Sequence, residues 1–159
     1  MSTRVTQQHS GESISWGSTR WYKFIEESVQ ELLDRSDKKN ISFSWTERFN
    51  GAPDPEGIFG SRHPGYRMTI ENSRAHLQIG VLDQDAVDME IDMPFEVQLQ
   101  VATLKSGRLF NKIMEEAAAA GSLHVSTQTD NPPPISFEEL HDMIATKTTL
   151  PQYSDDLRR

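Results

Sequence analysis

The apolar residues of this chain change their spacing as the sequence proceeds, and that change limits the folds open to it. Trp21, Phe24, Ile25, Val29, Leu32 and Leu33 recur at the three-to-four-residue interval of one helix face. Glu26, Glu27, Gln30 and Glu31 fall mostly on the opposite face. Ser18 or Thr19 can cap this helix, and Asp37-Lys38-Lys39-Asn40 closes it.

From Ile41 the interval drops to two. Ile41, Phe43 and Trp45 alternate with Ser42, Ser44 and Thr46, and Glu47 and Phe49 continue the apolar side less cleanly. Met68 and Ile70 belong to a second strand, and Leu77, Ile79 and Val81 to a third, with Asn72-Ser73-Arg74 as the turn of a hairpin. Val87, Met89 and Ile91 alternate with Asp88, Glu90 and Asp92. Beyond Pro94, Phe95, Val97, Leu99 and Val101 alternate with Glu96, Gln98 and Gln100. Residues 86–101 therefore read as two strands joined by a turn, or as one strand bent at Pro94.

Helical spacing returns over Leu104–Gly121. Leu109, Phe110, Ile113, Met114 and Ala117 form an apolar stripe read as core, with Ser106 as a cap and Gly121 at the C-terminal glycine position. Leu123 and Val125 mark a further strand, Pro132–Pro134 a stiff connector, and Ser136-Phe137-Glu138-Glu139 a capping box. That box opens a last helix bearing Phe137, Leu140, Met143 and Ile144. The expected fold is α+β in the order α-β-β-β-β-(β)-α-β-α: an antiparallel sheet of about five strands with helices mainly on one face. Its other face alternates polar. The expected organisation is a disordered polar arm over 1–17, from which Trp16 docks onto the body, one domain over 18–146, and a polar tail over 147–159.

The charge is uneven. The chain of 159 residues carries a net −8, yet residues 81–103 alone hold six acids (Asp83, Asp85, Asp88, Glu90, Asp92, Glu96) and no base. Such a balance argues against wrapping nucleic acid, which needs clustered cations, although Arg48, Arg62, Arg67 and Arg74 leave room for a local basic patch. The acid run lacks the glycine and terminal glutamate of a calcium-binding helix–loop–helix, so no metal is assigned to it. Period two instead places Asp88, Glu90, Asp92 and Glu96 on the solvent side of a strand, either as a solvated face or as a docking surface for a basic partner. Zero cysteine excludes disulfides, zinc fingers and thiol nucleophiles.

Residues 50–65 hold four glycines and three prolines and form a long loop. Arg62 and His63, with Asp54, Glu56 and Ser61 nearby, are its candidates for acid–base work, but no nucleophile elbow or phosphate loop accompanies them. His76 and His124, both on the polar side of their strands, could share a ligand only if those strands were neighbours; His141 sits at a core boundary. No cofactor is implied. The N-terminus has no apolar signal region, and the longest apolar run, Ala117–Ala120, is far short of a membrane span, so a soluble, cytoplasmic protein is expected and the Asn40-Ile41-Ser42 sequon is read as chance.

These features favour a non-enzymatic protein-binding protein of adaptor, chaperone or immunity type. It would use Asp85, Asp88, Glu90, Asp92 and Glu96 with Arg62 and His63 toward a basic protein partner, with homo-oligomerisation open. In element order alone the chain resembles the secretion-chaperone class, whose dimers bind effector segments. With its polar arm and proline stretch it resembles some viral matrix-type proteins, whose membrane faces are basic where this chain is acidic. The alternatives are therefore a self-assembling, matrix-like structural protein and an enzyme built on loop 50–65.

Overall fold

The computed structural model describes residues 12–151. What the sequence suggests for residues 1–11 and 152–159 lies outside the described residues. The elements in chain order are β1 (Ile14–Ser15), α1 (Thr19–Asp34), β2 (Phe43–Asn50), β3 (His63–Glu71), β4 (Arg74–Val81), β5 (Met89–Pro94), α2 (Phe95–Val101), α3 (Arg108–Ala119), β6 (His124–Thr127), α4 (Phe137–Lys147) and β7 (Thr148–Thr149).

The fold is α+β. Its five-stranded sheet has the order β4-β3-β2-β5-β6. The sheet is mixed rather than purely antiparallel, because the chain leaves β4 and returns on the far side of β2. There β5 pairs with β2 in parallel, Glu47 opposite Ile91. The remaining pairs are antiparallel. The β3–β4 hairpin turns on Asn72 and Ser73, both in left-handed conformation (φ 49° and 62°), as a two-residue turn that follows the strand twist requires. Gly65 sits in β3 at φ 133°, where a side chain would collide with the Glu47 carbonyl of β2. Only glycine lets the two strands meet there.

Ser18 caps α1, its hydroxyl accepting the Trp21 amide at 3.1 Å. Trp21, Ile25, Val29, Leu32 and Leu33 of α1 are buried against Phe43, Trp45 and Phe49 of β2 and Tyr66, Met68 and Ile70 of β3. The polar side of α1 also closes a sheet edge. Glu26 and Gln30 accept the Leu77 and Ala75 amides of β4, each at 2.8 Å, so those edge donors are not left as a pairing template. Burial opposes ionisation of Glu26, but hydrogen bonds from Lys23 and from the Leu77 amide outweigh it and hold the carboxyl below its usual range.

Glu12–Gly17 do not belong to a loose arm. β1 pairs in parallel with β7, and the Trp16 amide donates to the Thr149 carbonyl at 2.8 Å. Trp16 docks as expected, its ring 5.2 Å from Trp21 and from Phe95 and 5.4 Å from Phe49. The Trp21 indole donates to Thr148 Oγ1 at 3.0 Å, so residues read as polar tail help to hold α1.

Three expectations about elements are corrected. Residues 95–101 are a helix, not a strand. Phe95, Gln98, Leu99 and Val101 are buried together, Pro94 holds the N-cap position in extended conformation, and Glu96 lies in the first turn, where an acid suits the helix dipole. Seven residues are too few for period two and period 3.6 to be told apart when Phe95 and Leu99 satisfy both. The stripe on α3 is not core: of that helix only Ala117 is buried, and Leu109 is 57% exposed. Ser106 does not cap α3. Its amide and hydroxyl donate to Asp142 of α4 at 2.7 and 2.6 Å, and these hydrogen bonds hold the Asp142 carboxyl below its usual range. No helix among the described residues is long and apolar enough to cross a membrane.

Candidate ligand cavity

The half-buried face of α3 is turned inward. Phe110 and Met114 on that face line a cavity of about 200 Å³ between the sheet and its helices. Trp21 and Ile25 come from α1, Ile91 and Met93 from β5, Val101 and Ala102 from the end of α2, Leu123 and Val125 from β6, and Phe137, Leu140 and Ile144 from α4. Val125 is 59% exposed while lining the cavity, which places the mouth beside β6 and α3. The roof is pinned at one end. His141 Nε2 lies 2.7 Å from the Leu104 carbonyl, the His141 ring lies 4.5 Å from Phe110, and Ser106 is held by Asp142.

Polar groups enter this apolar space at few points. Glu47 occupies an inward position of β2, between Trp45 and Phe49 and opposite Tyr66 of β3. The Tyr66 hydroxyl donates to Glu47 Oε2 at 2.8 Å and accepts from the Trp45 indole at 3.2 Å. Glu47 keeps some accessible surface because it faces the cavity, but protein encloses it. That burial pushes its carboxyl up to about 7, with the Tyr66 hydrogen bond acting in the opposite direction. Burial, followed by the nearby Glu47 charge, raises the Tyr66 hydroxyl well above its ordinary value. Gln98 and His141 complete the polar lining, and no Lys, Arg or Asp reaches it.

The residues expected to form a binding surface do not line this cavity. The polar face of the sheet interleaves arginines among the acids. Arg48 stands 3.3 Å from Asp83 and 3.6 Å from Asp92, and Arg67 stands 3.0 Å from Asp85. Asp85 also accepts the Leu82 amide at 2.9 Å. Asp88 accepts the Ser44 amide at 2.8 Å, closing the entry to β5. Glu90 sits in register between Thr46 and Ser126 on that face. Glu96 departs from the group, exposed on α2. His63 bonds Asp83 at 2.8 Å, and the Arg62 side chain packs over Gly80.

Asp54 turns inward on its own loop, accepting the Ile58 and Phe59 amides at 2.7 and 3.1 Å, so loop 50–65 does not gather an acid–base cluster with His63. His76 on β4 and His124 on β6 stand at opposite edges of the sheet. Among the described residues no group of three His, Asp or Glu side chains is placed to hold a metal.

Sequence reasoning passed over Glu47, Gln98, Phe110 and His141 as a set. The available signal was Glu47 itself, a carboxylate breaking the apolar side of an otherwise regular strand.

No protein-family model and no curated protein matches this chain. Solved structures do resemble it. A protein from Thermus thermophilus described as possibly a sterol carrier protein is 16% identical, covering 89% of this chain and 99% of its own, at a TM-score of 0.47. A sterol carrier protein 2 is 15% identical over 82% of this chain and 97% of its own, also at 0.47. The UbiJ-SCP2 ubiquinone synthesis protein is 12% identical over 78% and 90%, at 0.39. These likenesses concern fold. The reading as an adaptor, chaperone or immunity protein with a basic protein partner, and the matrix-like alternative, are corrected. The similar structures are sterol carrier and ubiquinone synthesis proteins, and three of the acids that carried the protein-binding reading, Asp83, Asp85 and Asp92, stand beside Arg48 and Arg67 of the neighbouring strands.

Proposed function

We propose that this protein binds a small amphipathic or apolar molecule in the cavity beneath α3 and acts as a non-enzymatic carrier. The single observation that carries the reading is the cavity itself: walls from both layers of the fold, almost wholly apolar, with a few polar side chains at defined points. That is the usual make-up of a small-molecule site. Its volume, about 200 Å³, lies below the roughly 300 Å³ at which drug-sized ligand sites begin. A single alkyl chain or a small ring system suits it, and a larger ligand requires α3 to move outward. The half-buried packing of α3 makes that movement easier than displacement of any strand.

The test uses a neutral solvatochromic dye, 6-propionyl-2-(dimethylamino)naphthalene. A saturable blue shift is expected, reduced at least tenfold in affinity by Met114→Trp, which fills the cavity from its roof. Unchanged affinity in a folded Met114→Trp variant would place the dye elsewhere and refute the reading.

A further inference from the structure

Two polar side chains in the cavity have capacity to spare. Gln98 is only 7% exposed, and its amide has no hydrogen-bond partner among the described residues. Glu47 uses Oε2 for the Tyr66 hydroxyl, and its Oε1 has no partner among them either. Neither is among the fully enclosed polar atoms that lack a partner, so both open onto the cavity space. Two left open on one cavity are poised for the polar end of something that enters it.

Resting on the carrier reading, we propose that the cavity selects amphiphiles with an uncharged hydroxyl head and discriminates against carboxylates, with Glu47 and Gln98 holding the head.

The lining decides between head groups. An anionic head needs a cation or several donors. No Lys or Arg lines the cavity, and an ionised Glu47 would repel a second carboxylate. A cationic head would carry its charge into a space whose sole carboxyl keeps its proton up to about pH 7. A hydroxyl is both donor and acceptor. It can donate to ionised Glu47 or accept from the protonated form, and in either case the Gln98 amide supplies the complementary partner. The groups facing Glu47 leave this logic intact: β3 presents Tyr66, β5 presents Ile91 and Met93, α2 presents Gln98, and α4 presents His141, whose Nε2 is engaged by the Leu104 carbonyl.

The experiment displaces the bound naphthalene dye with dodecan-1-ol or dodecanoate at about pH 8, in the wild type, Glu47→Gln and Gln98→Leu. The alcohol is expected to displace at roughly tenfold lower concentration than the carboxylate. Glu47→Gln should shrink that ratio at least threefold by improving the carboxylate. Gln98→Leu should weaken the alcohol severalfold. Because the two ligands differ in solubility, the change of ratio in Glu47→Gln is the deciding quantity. If the dye binds and both ligands compete but the ratio is the same in wild type and Glu47→Gln, head-group selection is overturned and the cavity reading survives. If the wild type binds neither dye nor ligand, the carrier reading itself fails, and this inference with it.

Discussion

Glu47 is the residue on which the chemistry turns, and its cost to the fold can be measured. Its carboxyl loses a proton near 4.5 in an unfolded chain and near 7 in the folded one. Below pH 4.5 both states are protonated and folding carries no penalty. Between 4.5 and 7 the unfolded chain ionises first, so stability falls as pH rises, and above 7 the full loss is present. At about 1.36 kcal/mol per unit this is on the order of 3 kcal/mol. Glu47→Gln retains an acceptor for the Tyr66 hydroxyl and removes the titration. It should unfold in urea at the same midpoint as wild type near pH 4 and at a clearly higher one near pH 8. A difference independent of pH would contradict the assignment. Asp88 is tied to the backbone of β2. A reading of Asp88 as a solvated strand residue predicts that Asp88→Lys costs under about 0.5 kcal/mol. Its bond to the Ser44 amide raises the expectation to about 2 kcal/mol, and an unchanged urea midpoint for Asp88→Lys would show that bond to be idle. Glu47 could be read from sequence because it interrupts an apolar alternation. The pairing of Asp88 could not, since nothing local to residue 88 announces Ser44.

Among the elements, α1, the β3–β4 hairpin and α4 were legible because each pairs a periodic apolar pattern with a local stop or start signal: Ser18, Asn72-Ser73 and Ser136, whose hydroxyl accepts the Glu139 amide at 3.1 Å. α2 was not, for lack of length. α3 was seen as a helix but its stripe was misjudged, because amphipathic spacing shows which side faces inward and not whether anything fills the space beneath it. That distinction has a measurable consequence. Phe49, fully enclosed, should cost roughly 3–5 kcal/mol when replaced by alanine. Phe110, half-buried on the cavity wall, has fewer atoms to lose and should cost about 1 kcal/mol as Phe110→Ala while reducing dye affinity. Equal losses for the two variants would make α3 ordinary core.

At the scale of the molecule, the fold places a two-sided sheet so that its faces do different work. One face mixes arginines with acids, Arg48 and Arg67 standing beside three of the six acids of residues 81–103. The other packs against α1, α2 and α4 and leaves a cavity where α3 only half covers it. Net charge and period two both drew attention to the first face. The cavity was invisible to them because its walls come from strands and helices scattered between Trp21 and Ile144, and no short window of sequence contains them. The most direct test is solution NMR of the full chain with dodecan-1-ol. If the cavity is the ligand site, intermolecular NOEs run from the alkyl chain to Ile91, Phe110, Met114 and Ile144. NOEs confined to the surface around Pro53–Phe59, or to the arginine-bearing face of the sheet, would contradict it.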